Sequence, residues 1–214
     1  IVGFGRVGGV VGRFLRANKV EATVLEYDSD HVELLRKIGI KVFYGDACRL
    51  DLLEAAGAAE ARLIVIAIDE HERVMTLVQT CQRHFPNLAI IARARGRLQA
   101  YELLDAGVMH VYRETFDTSL RIGVDVLRQL GFRAYQAQRA ARSFLRHDEA
   151  SLIELSKLRG NQKEYFSAVR EQINYLEQVL VDDLGFEREN RDEGWDASSL
   201  RAEVDAKSSA DTPG

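Results

Sequence analysis

Residues 1–8 read Ile-Val-Gly-Phe-Gly-Arg-Val-Gly, in which Gly3, Gly5 and Gly8 stand at the spacing GxGxxG. Two β-branched residues precede the first glycine, and a helical pattern follows over 7–18. Such a sequence is typical of a tight turn between a strand and a helix. Gly3 permits the turn, Gly5 lets a phosphate approach the backbone, and Gly8 permits close packing of helix on strand. Because two residues make too short a central strand, we expect the strand to begin upstream of residue 1.

Downstream of this turn, short β-rich segments alternate with helical patterns. The predicted strands lie at 21–26, 41–44, 63–68, 87–92 and 108–112. The predicted helices lie at 7–18, 30–38, 51–56, 71–85 and 98–106. The run LIVIAI at 63–68 is typical of a parallel strand buried on both faces. Together with the strand at residues 1–2, the pattern predicts an α/β fold over residues 1–115, a doubly wound parallel (Rossmann) sheet of strand order 3-2-1-4-5-6.

Beyond residue 115 the sequence predicts helices alone. We expect helices over 115–130, 135–146 and 148–184, which together form a C-terminal helical extension over 116–184. The last helix carries apolar residues at heptad spacing, which would pack either on the sheet or against a partner helix. These residues are Phe166, Val169, Ile173, Leu176 and Leu180. Few apolar residues occur in 185–214, so we predict a mostly disordered tail there.

The composition excludes several classes of protein. With 46% hydrophobic and 29% charged residues and a net charge of −4, the chain fits a folded globular protein and lacks the basic excess of a nucleic-acid-binding domain. No apolar run approaches the length of a transmembrane helix. Cys48 and Cys81 lie far apart, without the spacing of metal ligands. We therefore interpret them as reduced core thiols of a cytosolic protein and predict no metal site.

Acidic residues at predicted strand ends complete a nucleotide site around the glycine turn. Glu26 ends the second strand about 20 residues after the turn, where a carboxylate can bind both ribose hydroxyls and disfavours the extra phosphate of NADP. The third and fourth strands end in Gly45-Asp46-Ala47 and Ala67-Ile68-Asp69, at the edge where such sheets bind ligands. We therefore predict an adenine-nucleotide site. Its candidate residues are Gly3, Gly5, Arg6, Gly8, Glu26, Asp28, Asp46, Ala47, Ala67, Asp69 and Arg93.

No catalytic constellation accompanies this site. A dehydrogenase of this fold needs a substrate-bearing region with a proton donor near the nicotinamide. The histidines lack an Asp or Lys partner at a recognisable catalytic spacing, and they are His31, His71, His84, His110 and His147. We therefore predict a sensor without catalytic residues. The alternative is an NAD-dependent oxidoreductase that uses a histidine such as His110.

Several short strings occur in an order typical of one family. KVFYGDA at 41–47, HFP at 84–86, ARAR at 92–95 and RETF at 113–116 follow the glycine turn. Together they resemble the cytosolic nucleotide-binding regulatory domain, of the RCK or KTN type, in Kef glutathione-regulated potassium efflux systems. The resemblance runs from residue 1 to about 184. It implies that an N-terminal membrane antiporter domain, which exchanges potassium for protons, belongs to the same chain and is gated by this segment.

The resemblance also implies ligands and partners. Glutathione would hold the antiporter closed and bulky glutathione adducts would open it, while AMP or NAD(H) would occupy the nucleotide site. The domain would form a homodimer with the adduct site at its interface, and a flavodoxin-like ancillary subunit would bind alongside. It would lie at the cytoplasmic face of the inner membrane. The alternative within potassium transport is a nucleotide-gated regulatory subunit of another transporter, to which glutathione would not bind.

The family's glutathione contacts fall on Arg13, Arg113 and Asp148 of this sequence. Guanidinium groups suit the two carboxylates of glutathione, because they bind carboxylates bidentately. Asp148 stands where a relative has asparagine. Its carboxylate would accept a hydrogen bond from the ligand's amino group but repel the ligand's carboxylates. Two further departures, Ile38 for a phenylalanine and Gly96 for an aspartate, concern gating more than the ligand.

These arginines also have simpler interpretations. Arg13 on an exposed helix face would be a solvated charge, and Arg113 would form a salt bridge with Glu114 or Asp117. Arg93 would either contact a nucleotide phosphate or pair with neighbouring acids. The sequence leaves these alternatives open.

Overall fold

The computed structural model describes residues 1–189, with side chains through residue 178. The strands are β1 (Val24–Glu26), β2 (Val42–Tyr44), β3 (Leu63–Ile66), β4 (Ala89–Ala94) and β5 (His110–Arg113). The helices are α1 (Arg6–Ala17), α2 (Ser29–Lys37), α3 (Leu50–Ala55), α4 (His71–His84), α5 (Arg97–Asp105), α6 (Phe116–Gln129), α7 (Ala134–Lys157) and α8 (Gln162–Glu189). None of the helices in the described range is both long and apolar enough to cross a membrane.

The strands form a parallel sheet that is centred on Val2. β1 pairs with β2, and β4 lies between β3 and β5, all in parallel. Val2 joins the two groups, because it bridges Leu25 on one side and Ile66 on the other. Its N–H donates to the Val65 carbonyl and its carbonyl accepts from the Ala67 N–H, both at 2.8 Å. The order β2-β1-Val2-β3-β4-β5 is the predicted 3-2-1-4-5-6, so the α/β fold is confirmed.

One apolar core joins the sheet to the helical extension. Leu77 of α4 and Leu103 of α5 are fully buried, and Leu155 of α7 belongs to the same cluster. Tyr101 of α5 is fully buried as well, and its hydroxyl lies 3.5 Å from that of Tyr165 on α8. Burial raises the pKa of Tyr101 to about 12, so this phenol stays neutral. Both α7 and α8 are therefore attached to the sheet domain through α5.

The helical extension is divided at a different place from the one predicted. We expected a break near residue 147 and a continuous helix over 148–184. Instead α7 continues to Lys157 and α8 begins at Gln162. The break contains Gly160, which destabilises a helix interior, and Asn161, whose side chain accepts a hydrogen bond from the Glu164 N–H at 3.4 Å. No glycine or proline occurs near residue 147, so nothing interrupts the helix there.

The apolar residues at heptad spacing on α8 are partly buried and partly exposed. Val169 packs against the main core, whereas Phe166 and Ile173 are more than half exposed. Leu180 lies outside the described side chains. The backbone of α8 extends to Glu189, within the segment that we predicted as tail, and residues 190–214 lie outside the described range.

Both cysteines are free thiols. Cys81 is fully buried in the main core, as predicted, and burial raises its pKa to about 11. Cys48 is only half-buried and packs against that core, and burial raises its pKa too. Because a raised pKa leaves little thiolate at neutral pH, neither cysteine has the character of a reactive thiol.

Candidate functional site

Two glycines of the glycine turn are required by the fold itself, Gly3 for its backbone conformation and Gly8 for packing. Gly3 has φ +81°, and an added Cβ would stand 2.9 Å from Cγ2 of Ile68. An added Cβ on Gly8 would overlap the Gly3 carbonyl oxygen and stand 3.0 Å from its carbonyl carbon. The absence of a side chain at Gly8 lets α1 approach the end of the central strand this closely, whereas glycine at position 3 permits the positive φ of the turn.

Gly5 differs from its two neighbours because the space beside it is open. No atom lies within 4 Å of an added Cβ, and its φ of −72° suits any residue. Gly5 is also the N-cap of α1, where no side chain accepts a capping hydrogen bond and the first turn carries no acid. The N–H groups and positive dipole end of α1 therefore face an open space of the kind that binds phosphate.

Glu26 is held beside this turn by backbone hydrogen bonds. Its carboxylate accepts from the N–H groups of Phe4 at 2.7 Å, Tyr27 at 2.8 Å and Asp28 at 3.2 Å. Asp28 itself caps α2, because its carboxylate accepts from the Asp30 and His31 N–H groups. The orientation of Glu26 is therefore set by the fold before any ligand arrives, while the side chain of Asp28 serves the helix.

Arg93 lies in a buried ion-pair network at the ends of β3, β4 and β5. Its side chain is 5% exposed, and its Nη1 lies 2.5 Å from Asp69 and donates to the Ile68 carbonyl at 3.1 Å. Its Nε donates to Glu114 at 3.0 Å. The hydrogen bond from Arg93 lowers the pKa of Asp69. Of the two alternatives left open above, the structure shows pairing with neighbouring acids.

Arg6 is the exposed cation of this network. Its side chain is 76% exposed, and its Nη2 lies 3.5 Å from Asp69 and 3.3 Å from Glu114. Arg6 is the first residue of α1, so its guanidinium lies near the open helix terminus. Ion pairs of this length are weak where the guanidinium is exposed, and Arg6 is therefore available to an incoming phosphate.

Asp46 has a partner that the sequence did not indicate. Its Oδ1 accepts from the Cys48 N–H at 3.0 Å and from Nη2 of Arg73 at 2.6 Å, and these bonds lower its pKa. The Arg73 guanidinium also lies 5.0 Å from the ring centre of Tyr27, beside Glu26. Arg73 and Tyr27 thus connect the end of β2, at Asp46, with the end of β1. The remaining candidates, Ala47 and Ala67, have buried side chains.

A second charged cluster lies where β5 meets α7. Arg113, at the end of β5, forms a buried ion pair with Asp148 of α7, and its guanidinium lies 3.8 Å from the ring centre of Phe116. Arg113 and Asp148, which are distant in sequence, are thereby brought together. Arg13 lies elsewhere, exposed on α1, where its Nε donates to the Gly9 carbonyl at 3.2 Å.

Sequence reasoning missed Arg97 and the true partner of Glu114. Arg97 begins α5 and approaches Asp148 with its Nη2 at 3.5 Å from Oδ1. Glu114 pairs with Arg93, not with the adjacent Arg113. Strand alternation could have indicated this, because consecutive residues at the end of a strand point to opposite faces. No sequence signal pointed to Arg97. Among the side chains that the structure describes, through residue 178, there is also no group suited to hold a metal ion.

Comparison with known proteins places both halves of the chain. The TrkA-N domain family model matches residues 1–114, and the potassium efflux system KefB C-terminal domain model matches residues 118–194. A Kef C-terminal domain from Shewanella denitrificans, solved in AMP-bound form, is 44% identical, with a TM-score of 0.68. The match covers 73% of this chain and 96% of that chain.

Two further solved structures share the fold of the first half. The TrkA-N domain of the inner membrane protein YbaL from Escherichia coli is 25% identical over 59% of this chain and 93% of its own, with a TM-score of 0.54. The NAD(P)-binding domain of an exopolyphosphatase-related protein from Archaeoglobus fulgidus is 16% identical over 60% and 96%, with a TM-score of 0.53, and shows likeness of fold alone. With a TrkA-N half, a Kef C-terminal half and a Kef relative at 44% identity, the chain belongs to the RCK-type C-terminal regulatory domains of Kef potassium efflux systems.

Proposed function

We propose that this domain is the cytoplasmic ligand-sensing gate of a potassium–proton antiporter at the inner membrane. Glutathione holds the antiporter closed, glutathione adducts open it, and AMP or NAD(H) occupies the Rossmann site. The observation that carries the proposal is the ion pair of Arg113 with Asp148, at the junction of the sheet domain and α7. A ligand with carboxylates that competes for Arg113 acts on the contact between the two parts of the chain. It shifts the gate to the extent that it binds one arrangement better than the other.

The nucleotide half of the proposal rests on the turn and its surroundings. The open space beside Gly5, the free N-terminus of α1 and the exposed guanidinium of Arg6 suit one phosphate group. Glu26, fixed beside the turn, suits the ribose hydroxyls. The relative from Shewanella denitrificans was solved with AMP, which has this chemistry. NAD(H) would use the same groups for its adenosine half.

Exposed apolar side chains support a homodimer. On α6 and its C-cap they recur every fourth residue, at Ile122, Val126 and Leu130, all more than half exposed. Val10 and Phe14 repeat this spacing on α1. Stripes of this kind are typical of interfaces between subunits. We propose that two copies pair through them, with a flavodoxin-like ancillary subunit bound alongside.

Substitution of Gly5 by alanine tests the nucleotide site without disturbing the fold. Because the added Cβ meets nothing, the melting temperature of the ligand-free chain should stay within about 1 °C of wild type. The methyl group occupies the space for the phosphate, so AMP affinity should fall at least about tenfold. Isothermal titration calorimetry with AMP measures this. Unchanged affinity would place the nucleotide elsewhere.

Substitution of Arg113 by alanine tests the glutathione gate. A ligand at about 100 times its dissociation constant should add roughly 2.7 kcal/mol of stability, a shift of a few degrees in melting temperature. We expect glutathione and a bulky adduct to produce this shift in the wild-type chain and to lose it in Arg113→Ala, while the shift with AMP remains. Arg49→Ala is the matched control, because Arg49 pairs with Asp51 at an exposed site.

Two outcomes would replace the proposal. If nucleotides alone stabilise the wild-type chain, it is a nucleotide-gated regulator to which glutathione does not bind. If the chain oxidises NADH and loses that activity in His110→Ala, it is an oxidoreductase.

A further inference from the structure

Asp148 poses a problem for any ligand that carries carboxylates. It is buried, and its carboxylate is the partner of Arg113. A ligand carboxylate that takes Arg113 would leave Asp148 without that partner, and an unpaired buried carboxylate is strongly unfavourable. Binding of a ligand carboxylate at Arg113 therefore requires a second cation that can form an ion pair with Asp148.

Arg97 is in place to be that cation. Its Nη2 lies 3.5 Å from Oδ1 of Asp148, too far for a strong hydrogen bond, and donates instead to Oγ of Ser151 at 2.6 Å. Its Nε is buried and has no hydrogen-bond partner. Nε and Nη2 form the edge with which a guanidinium binds a carboxylate bidentately. Arg97 thus has one unused donor, Nε, while its Nη2, which is hydrogen-bonded to Ser151, already lies within ion-pair distance of Asp148.

The charges of the cluster balance only when a carboxylate is added. Arg97 and Arg113 carry two positive charges, and Asp148 supplies one negative charge. One guanidinium is therefore left over for a ligand carboxylate. The Arg97 side chain is 37% exposed against 11% for Arg113, so Arg97 has the greater freedom to move towards Asp148.

We propose that Asp148 exchanges partners, from Arg113 in the ligand-free state to Arg97 when a ligand carboxylate binds Arg113. Arg97 is then a positioning residue, which makes Arg113 available without touching the ligand. The proposal rests on the proposed function for its ligand, glutathione. The exchange itself is a property of the three side chains and has a test that needs no ligand.

The ligand-free test is a double-mutant cycle on the unfolding equilibrium of the 214-residue chain in urea. Arg113→Gln leaves Asp148 with Arg97, and Arg97→Gln leaves it with Arg113, so each single change should have a modest effect. The double variant leaves Asp148 unpaired. We expect the fold-increase in its unfolding equilibrium constant to exceed the product of the fold-increases in the two single variants by at least about tenfold. If the double variant fails to fold, adding Asp148→Asn should restore folding. Additive effects, or no restoration, would overturn the exchange.

The ligand test measures glutathione affinity by calorimetry in two backgrounds. With Asp148 present, Arg97→Gln should weaken binding at least about tenfold, and Arg97→Lys should weaken it too, because lysine offers a single point of contact. With Asp148→Asn, the same Arg97→Gln change should alter affinity less than about twofold. Equal weakening in both backgrounds would mean that Arg97 binds the ligand directly, which overturns the exchange. If the double-mutant cycle shows the expected non-additivity but the wild-type chain does not bind glutathione, the partner exchange stands and the proposed function is overturned.

Discussion

Alanine in place of Gly8 is expected to lower the free energy of unfolding by about 3 kcal/mol or more. The added methyl group would overlap the Gly3 carbonyl oxygen, and this oxygen belongs to backbone that has little freedom to move. The Gly3 N–H donates to the Leu25 carbonyl at 2.9 Å, and the preceding residue, Val2, bridges both halves of the sheet. Either α1 must move away from the sheet or the centre of the sheet must distort. Urea unfolding followed by circular dichroism measures the loss.

Gly123 in α6 provides the matched control. No atom lies within 4 Å of an added Cβ at this helical position. Gly123→Ala should therefore stabilise the chain by about 0.5–1 kcal/mol, because alanine loses less backbone entropy than glycine in a helix. Substitution of glycine by alanine is thus expected to lower the free energy of unfolding at Gly8 and to raise it at Gly123. A loss at Gly8 that is smaller than about 1 kcal/mol would show that α1 does not approach the strand so closely.

Removal of the Arg93 side chain is expected to cost about 3–5 kcal/mol. Arg93→Ala leaves a cavity and deprives two carboxylates of their cation. Asp69, at 56% exposure, can be hydrated, but Glu114, at 16%, cannot be fully hydrated and keeps the exposed Arg6 at 3.3 Å as its one remaining ion-pair partner among the described side chains. Most of the loss therefore comes from the buried charge of Glu114, which is left with a single exposed partner. Urea unfolding at neutral pH measures it.

A second substitution separates the charge from the cavity. In the double variant Arg93→Met, Glu114→Leu both buried charges are absent, and most of the lost stability should return. Arg73→Ala removes the more exposed ion pair with Asp46 and should cost less than about 1 kcal/mol. If Arg93→Ala costs no more than Arg73→Ala, the network around Arg93 contributes nothing through burial.

The helical extension illustrates where prediction from sequence was wrong. The sequence pattern predicts one helix over 135–146 and another over 148–184, although neither glycine nor proline occurs near residue 147. In the folded chain Asp148 is buried beside Arg113, and Ser151 is buried beside Arg97. Polar side chains on this turn of α7 therefore mark a contact with the sheet domain. Whether such polar residues end a helix or form a contact depends on arginines that are far away in sequence.

The sequence by itself determined the parallel sheet, its strand order and the glycine turn, together with a carboxylate at Glu26. These features depend on short-range patterns: apolar runs, glycine spacing and the step from strand to helix. Only the tertiary structure decided which charges pair, with Arg93 joined to Asp69 and Glu114, and Arg113 to Asp148. The physical reason is that an ion pair depends on distance in space and on burial. A chain with 29 basic and 33 acidic residues offers many candidate pairs until folding brings a few of them together out of water.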